Sequence, residues 1–161
     1  MKKINYNSDL TFDERVMMAV VRAAESFKRA QASIFKKHGL SFPQYNILRV
    51  LDASYIKQNK ISVVGKIILS PVANMTGLAK RLEQKEFIIR KSDPADERVT
   101  LLAITEKGQY LLKLIEDEKD KSIDFILDGF SKETKTDLLE ILKKIIINTT
   151  SLHKKKITGS M

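Results

Sequence analysis

The chain has 161 residues, of which 43% are hydrophobic and 30% charged, a balance typical of one globular subunit rather than a disordered chain. It has no apolar run long enough to span a bilayer and no apolar core of a secretion signal, so we expect a cytoplasmic protein without a membrane partner. The absence of cysteine excludes disulfides and thiol switches, and a net charge of +9 favours an acidic polymer as partner.

Two helices are predicted in the first third of the chain. Thr11 and Glu14 fit a capping box at the start of a helix that ends near Gly39. Its apolar stripe is wider than a surface helix needs, which indicates that more than one side is buried. Ser41 and Gln44 fit a second capping box, and a second helix is expected to begin there.

A helix-turn-helix follows a polar connection that is predicted for residues 52–60. Apolar residues at helical spacing predict a helix over residues 62–69. Ser70 and Pro71 then suit the N-cap and the first turn of another helix. Gly65 lies where the two helices must approach each other closely, so this stretch is typical of a helix-turn-helix.

The second helix of this motif exposes polar side chains that suit a nucleic acid. Amide and hydroxyl groups can bond base edges, and cationic groups can neutralise phosphates. The candidate recognition-helix residues are Asn74, Thr76, Lys80 and Arg81.

A β-hairpin with a charged tip is predicted next, with strands over residues 87–91 and 98–104 and a turn over residues 92–96. Helix-turn-helix and hairpin together make a winged helix-turn-helix lobe over residues 41–105, within a mainly α chain (α+β class). The same shape also serves as plain packing or as a protein-docking module. The cationic tip favours DNA binding, and the candidate wing residues are Arg90, Lys91, Asp96 and Arg98.

Two further helices are predicted after the wing. Thr105 is placed to cap the first, Gly129 ends it, and Ser131 caps the second, which runs to about Thr149. Residues 151–161 are predicted to form a basic, frayed tail.

The outer helical regions, residues 10–39 and 105–150, carry more apolar surface than one winged lobe can cover. The run Ile145-Ile146-Ile147 is the clearest example. A homodimer would bury this surface and would also place two winged lobes on the half-sites of a palindrome. The alternative is that these isoleucines close the core of a monomer.

Several segments resemble the MarR family, the multiple antibiotic resistance regulators of bacteria and archaea. They are Leu40–Leu48, Leu82–Ile88, Asp93–Arg98 and Leu102–Gly108. The resemblance spans nearly the whole chain and implies one subunit over residues 1–161. It implies that Asp96 positions Arg98 for the minor groove. It also implies a repressor of a palindromic operator, released by a small, often phenolic ligand that binds between the dimer helices and the winged lobe.

Two residues depart from the family pattern. Gly77 stands where a larger polar or basic residue is common, and Glu86 replaces a common glycine at the end of the recognition helix.

The sequence does not assign the ligand contacts, because the side chains that suit an aromatic ligand equally suit a core. These are Met17, Met18, Phe27 and Tyr45.

An enzyme is the second class of function to weigh. The sequence has no glycine-rich phosphate loop, no cysteine nucleophile, no His-carboxylate cluster and no metal-ligand spacing. We therefore expect no catalysis, no cofactor and no metal site. The stronger competitor is a basic architectural or protein-docking winged-helix module that binds duplex DNA without sequence preference.

Overall fold

The computed structural model describes residues 9–158, apart from the side chains of residue 72 and of residues 153–158. Six helices, one 3-10 turn and three strands follow one another in this part of the chain. They are α1 (Phe12–Lys37), α2 (Phe42–Ala53), the 3-10 turn Tyr55–Lys57, β1 (Gln58–Lys60), α3 (Ile61–Ile67), α4 (Val72–Gln84), β2 (Ile88–Asp93), β3 (Asp96–Ile104), α5 (Glu106–Ile126) and α6 (Lys132–Thr158). The helices described include none that is long and apolar enough to cross a membrane.

Both predicted capping boxes are present. The Glu14 main-chain N–H donates to Thr11 Oγ1 at 3.3 Å, and the Thr11 N–H donates to Glu14 Oε2 at 2.7 Å. Ser41 and Gln44 make the same two bonds at 3.4 and 2.9 Å. These bonds satisfy N–H groups that a helix start leaves free, which is why both starts could be read from a few neighbouring residues.

The prediction for residues 52–60 was wrong in part. This segment contains the last two residues of α2, a 3-10 turn, and β1, which pairs with β3 through Gln58 opposite Ala103. The strand order is β1-β3-β2, and every pair is antiparallel. The residues of β1 show no alternation of apolar and polar side chains. The strand forms because the free edge of β3 satisfies the backbone hydrogen-bonding groups of Gln58, Asn59 and Lys60.

The chain divides into two compact units, at residues 122 and 123. In the first unit, one apolar core joins α1, α2, the helix-turn-helix, the sheet and the start of α5. Its fully buried side chains include Phe35, Ile47, Leu48, Leu51, Val64, Met75, Leu82, Ile88, Leu102 and Ile115. The Phe35 and Tyr45 rings stack with their centres 3.9 Å apart. At the start of α5, Thr105 Oγ1 accepts a hydrogen bond from the Gly108 N–H at 3.1 Å, as a cap does.

The second unit consists of the end of α5, a turn, and α6. Gly129 has φ of +78°, and Ser131 Oγ accepts a hydrogen bond from the Thr134 N–H at 3.2 Å, so the predicted break and cap are confirmed. The predicted end near Thr149 was wrong, because α6 continues to Thr158. The predicted tail is therefore helical over residues 151–158, and its last three residues lie outside the described part of the chain.

The helix-turn-helix turn depends on close packing and on an unusual backbone angle. A side chain added at Gly65 would meet Met75 Cγ at 3.1 Å, so the predicted close approach of α3 and α4 is confirmed. The Ser70 N–H donates to the Gly65 carbonyl at 2.9 Å. The prediction that Ser70 caps α4 was wrong, since Pro71 occupies the N-cap position and no side chain bonds the helix start.

Leu69 lies in this turn with φ of +53° and a side chain that is 71% exposed. The left-handed conformation costs an L-residue about 1–2 kcal/mol, whereas glycine adopts it freely. We therefore expect Leu69→Gly to raise the free energy of unfolding by about 0.5–1 kcal/mol, a gain reduced by the greater freedom of glycine in the unfolded chain. Urea denaturation followed by circular dichroism measures this change.

The matched control for Leu69→Gly is Leu114→Gly. Leu114 is also exposed but lies inside α5. Glycine there should lower stability by about 1 kcal/mol. A loss of stability at both positions would show that the turn does not strain Leu69.

Candidate nucleic-acid interface

The recognition helix α4 is held by a buried apolar side and presents its other sides to solvent. Met75, Ala79 and Leu82 are buried. The four predicted recognition-helix residues Asn74, Thr76, Lys80 and Arg81 are exposed. With 100° of rotation per residue, the middle of the outward face falls on Ala73 and Gly77, which are both exposed.

The polar candidates therefore lie on the two flanks of this outward face. Asn74 and Arg81 lie on one flank and Thr76 and Lys80 on the other. A Cβ added at Gly77 would meet nothing within 4 Å, so the centre of the face is open. A groove of about 370 Å³ runs along the Asn74 flank. From the sequence, Gly77 is only a departure from the family pattern, although the spacing of two small residues four apart, Ala73 and Gly77, is a signal for this smooth centre.

The wing is a hairpin with a two-residue tip. Asp93 pairs with Asp96, so the turn consists of Pro94 and Ala95 and is tighter than the predicted turn over residues 92–96. The Arg98 Nε donates to Asp96 Oδ1 at 3.1 Å, and the Arg98 main-chain N–H donates to the same oxygen at 3.1 Å. The Arg98 side chain is nevertheless 91% exposed. Asp96 thus fixes the direction of a guanidinium that points into solvent.

Asp93 stabilises the tip from inside the wing. Its carboxylate accepts the Ala95 N–H at 3.0 Å and lies 3.1 Å from the Lys60 Nζ of β1. The Ala95 hydrogen bond and, secondly, the Lys60 hydrogen bond hold the pKa of the Asp93 carboxyl below its ordinary value. Sequence reasoning missed this role. An aspartate bonding the N–H two residues on is a known turn signal, whereas nothing local indicates Lys60.

Arg90 was predicted to contact DNA from the wing, but the structure places it against the recognition helix. Its Nε and Nη2 lie 2.7 and 2.6 Å from Glu83 Oε2, and its main-chain N–H donates to Glu83 Oε1 at 3.2 Å. The Arg90 side-chain hydrogen bond is the main cause of a lowered pKa of the Glu83 carboxyl. By contrast, the predicted wing residue Lys91 is exposed.

Three of the predicted cations retain an uncompensated charge. Lys80, Arg81 and Lys91 have no ion-pair partner within residues 9–158. Exposed cations without a carboxylate partner attract a phosphate backbone most effectively, because their charge is not already neutralised. These three cations and the oriented Arg98 belong to the same winged lobe.

A separate cavity of about 240 Å³ lies between α2 and α5 in the first unit. Its lining residues are Tyr45, Arg49, Asp52, Lys57, Gln109, Leu112, Lys113, Glu116 and Lys119. The pKa of the Tyr45 phenol is raised, mainly by burial. Of the four side chains that suited an aromatic ligand, Tyr45 lines this cavity, whereas Met17 and Met18 are exposed and Phe27 packs edge-on against Phe42.

A metal centre has no support in the described residues, which contain no group of three or more histidine, cysteine or carboxylate side chains able to hold an ion. The candidate site consists of the exposed faces of α4, the tip of the β2–β3 hairpin and the cavity between α2 and α5. The side chains there offer hydrogen-bonding groups and charge.

Comparison with known proteins connects this arrangement to regulators of transcription. The family model for the transcriptional regulator SarA/Rot matches residues 29–115. The HTH-type transcriptional regulator MhqR of Bacillus subtilis (strain 168) is 32% identical over 142 residues, which cover 88% of this chain and 96% of MhqR.

Two solved structures share the fold. Sco3205, a MarR family transcriptional regulator from Streptomyces coelicolor in complex with DNA, superposes with a TM-score of 0.79 at 19% identity, over 88% of this chain and 91% of that one. CouR from Rhodococcus jostii RHA1, bound to p-coumaroyl-CoA, superposes with a TM-score of 0.74 at 20% identity, over 85% and 95% of the two chains.

Proposed function

The chain belongs to the SarA/Rot family of MarR-type winged-helix, DNA-binding transcriptional regulators, and from that premise we propose that it is a homodimeric, sequence-specific repressor of a palindromic operator. One observation carries the proposal: Asp96 orients an almost fully exposed Arg98 at the wing tip, on the lobe that also exposes the polar flanks of α4. This arrangement supports simultaneous contact with a minor groove and the adjacent major groove.

Within this proposal the side chains divide their tasks by chemistry. Asn74 and Thr76 carry groups that bond base edges, whereas Lys80, Arg81 and Lys91 neutralise phosphates. The competing function is a module that binds duplex DNA without sequence preference. The polar base-reading groups on α4 favour sequence reading over that alternative, because phosphate binding alone would need only the cations.

The family also bears on two other predictions. The matched relatives are regulators of transcription, which supports the expectation that the chain is not an enzyme. A regulator of transcription acts in the compartment that holds the DNA, and this supports the cytoplasmic location predicted from the sequence.

Three single substitutions test DNA reading, with a fragment that the wild type selects from random-sequence duplexes as operator. Arg98→Ala should weaken binding to operator and random duplex alike, since the minor groove carries little base information. Asn74→Ala should relax discrimination at one or two base pairs by about 1–3 kcal/mol. Lys80→Ala should lower the slope of log affinity against log salt by about 1 without changing preference. Fluorescence anisotropy across a salt series measures all three.

If all three variants keep the wild-type discrimination between base pairs and the wild-type salt slope, the surface that reads DNA lies elsewhere. Equal wild-type affinity for the selected fragment and random duplex would favour the architectural module instead.

The homodimer is supported by apolar side chains that each unit leaves exposed. In the first unit, α1 exposes Phe12, Val16, Met17 and Val21. In the second unit, Ile146 is 49% and Ile147 is 62% exposed, which favours a dimer over the alternative that these isoleucines close the core of a monomer. Exposed apolar surface on this scale marks an interaction site, and a second copy would bury it.

Ile146→Asp tests the dimer by placing a charge on the exposed apolar side of α6. Burying an unpaired carboxylate is strongly unfavourable, so we expect sedimentation velocity to show a monomer and operator affinity to fall. The matched control is Tyr55→Asp, which alters an 89% exposed side chain of the winged lobe. A wild type that sediments as a monomer at the concentration of full operator binding would refute the dimer.

An effector site is supported by the α2–α5 cavity. Four cationic residues line it, namely Arg49, Lys57, Lys113 and Lys119. Asp52 pairs with Arg49 and Lys57, and Asp120 pairs with Lys119, so Lys113 is the lining cation that has no ion-pair partner within the described residues, and an anion is favoured beside it. The Tyr45 ring offers an aromatic surface and a phenol. We therefore infer that the effector is an aromatic carboxylate or a similar anion, and that it releases the operator. CouR, which shares the fold, is bound to p-coumaroyl-CoA.

We expect p-coumarate to weaken operator binding, with calorimetry reporting binding to the free protein. Linkage requires operator and ligand to weaken each other by the same factor, about 5–150-fold for typical coupled sites. Lys113→Gln should reduce p-coumarate affinity, whereas Lys66→Gln, which alters an exposed cation of α3, should not. Equal ligand affinity in the two variants would exclude the cavity as the site.

A further inference from the structure

An ion pair joins the recognition helix to the base of the wing. Glu83 lies in the last turn of α4, and Arg90 is the third residue of β2. Both carboxylate oxygens of Glu83 are used: Oε2 accepts from the Arg90 guanidinium, and Oε1 accepts from the Arg90 main-chain N–H. The carboxylate therefore holds the strand itself as well as the side chain.

This pair differs from the ordinary surface ion pairs of the chain. The Glu83 and Arg90 side chains are 34% and 31% exposed, whereas those of Asp117 and Lys121 on α5 are 80% and 75% exposed. Exposed pairs contribute little, because solvent screens them and holding two long side chains costs entropy. A half-buried pair that also bonds the main chain can adopt fewer conformations than an exposed pair. It is therefore suited to fixing the position of the strand relative to the helix.

The base of the wing is also held by the Thr105 hydroxyl, which donates to the Glu86 carbonyl at 2.7 Å, by the Thr105 N–H, which donates to the Phe87 carbonyl at 3.1 Å, and by the pairing of β1 with β3. Within the described residues, the Glu83–Arg90 pair is the ion pair that joins α4 to a strand of the wing. At the tip, Asp93 already joins the turn and Lys60. Arg98 lies four residues along β3 from Leu102, the partner of Arg90, in the stretch where the register with β2 shifts, which is at most about 13 Å at the rise of a β-strand. A rotation of about 10° at the base would displace the Arg98 guanidinium by about 2 Å, which exceeds the tolerance of a hydrogen bond.

We propose that the Glu83–Arg90 pair is a positioning device that sets the wing against the recognition helix, so that α4 and Arg98 engage one duplex together. The inference rests on the proposed DNA reading and deepens it, since it makes Glu83 and Arg90 positioning residues. Arg90 then acts on DNA through Arg98 rather than through a phosphate of its own.

The charges of the two residues separate this role from direct contact. Glu83→Gln removes a negative charge and frees Arg90, so a phosphate-binding Arg90 would bind DNA at least as well. Arg90→Lys keeps the positive charge and a phosphate contact but loses the guanidinium fork that grips Oε2. A positioning pair predicts that both variants lose affinity, although neither loses positive charge.

The experiment measures binding of Glu83→Gln, Arg90→Lys and the control Asp117→Asn to the selected operator and to random duplex, each with and without Arg98→Ala. Thermal unfolding by circular dichroism establishes that each variant is folded. We expect a loss of about tenfold for Glu83→Gln and Arg90→Lys, the scale of coupled contacts, and no loss for Asp117→Asn. Arg98→Ala should cost less in the first two backgrounds than in the wild type.

Two results would overturn the proposal. The first is undiminished affinity in Glu83→Gln and Arg90→Lys. The second is an equal cost of Arg98→Ala in all backgrounds, which would leave the pair with a role in stability alone. A wild type that binds operator and random duplex equally would count against the proposed repressor function. The cost of Arg98→Ala is also measured on random duplex, so those values would still decide whether the pair positions Arg98.

Discussion

The structure of the winged lobe depends on the burial of one side of α4. Met75, Ala79 and Leu82 are fully buried, and Gly65 allows α3 to approach Met75 so closely that a Cβ added at Gly65 would lie 3.1 Å from Met75 Cγ. Burying this side determines which residues of α4 face outward, because the helical period leaves no independent choice. The outward face of α4, on which we propose that DNA is read, is therefore a consequence of core packing. It places a smooth centre between two polar flanks.

Carboxylates play an organising part at a surface that is otherwise suited to an anion. Asp96 directs Arg98, Asp93 closes the tip, and Glu83 holds Arg90 at the base. A negative charge near phosphates is unfavourable, so acidic residues at such a surface need a geometric purpose. Here each one accepts a main-chain N–H as well as bonding a cation, and it thereby orders both a side chain and the strand that carries it.

The exposed apolar side chains on α1 and α6 place a further constraint, which concerns the oligomeric state of the protein. An isolated chain that exposes them would be prone to association, and a closed two-fold assembly is the common way in which soluble proteins bury such surface. The α2–α5 cavity lies in the first unit, and α2, which lines it, belongs to the winged lobe. A ligand in this cavity can alter DNA binding only if its affinity differs between the DNA-bound and the DNA-free conformation of the chain. DNA must then alter the affinity for the ligand by the same factor.

The sequence by itself determined the local features of this protein. The capping boxes, the break at Gly129 and the hairpin each depend on residues within a few positions of one another, and Asp96 and Arg98 are neighbours on one strand. The two helices of the helix-turn-helix could likewise be predicted, because the spacing of apolar residues indicates which side of a helix is buried.

The tertiary structure alone decided the features that join distant segments. β1 exists because β3 leaves an edge open, Lys60 reaches Asp93 across the sheet, and Arg90 turns to Glu83 instead of to solvent. A sequence shows that a residue is charged, but the choice between a protein carboxylate and a phosphate depends on which group the fold brings within hydrogen-bond distance. The orientation of each cation is a property of that packing.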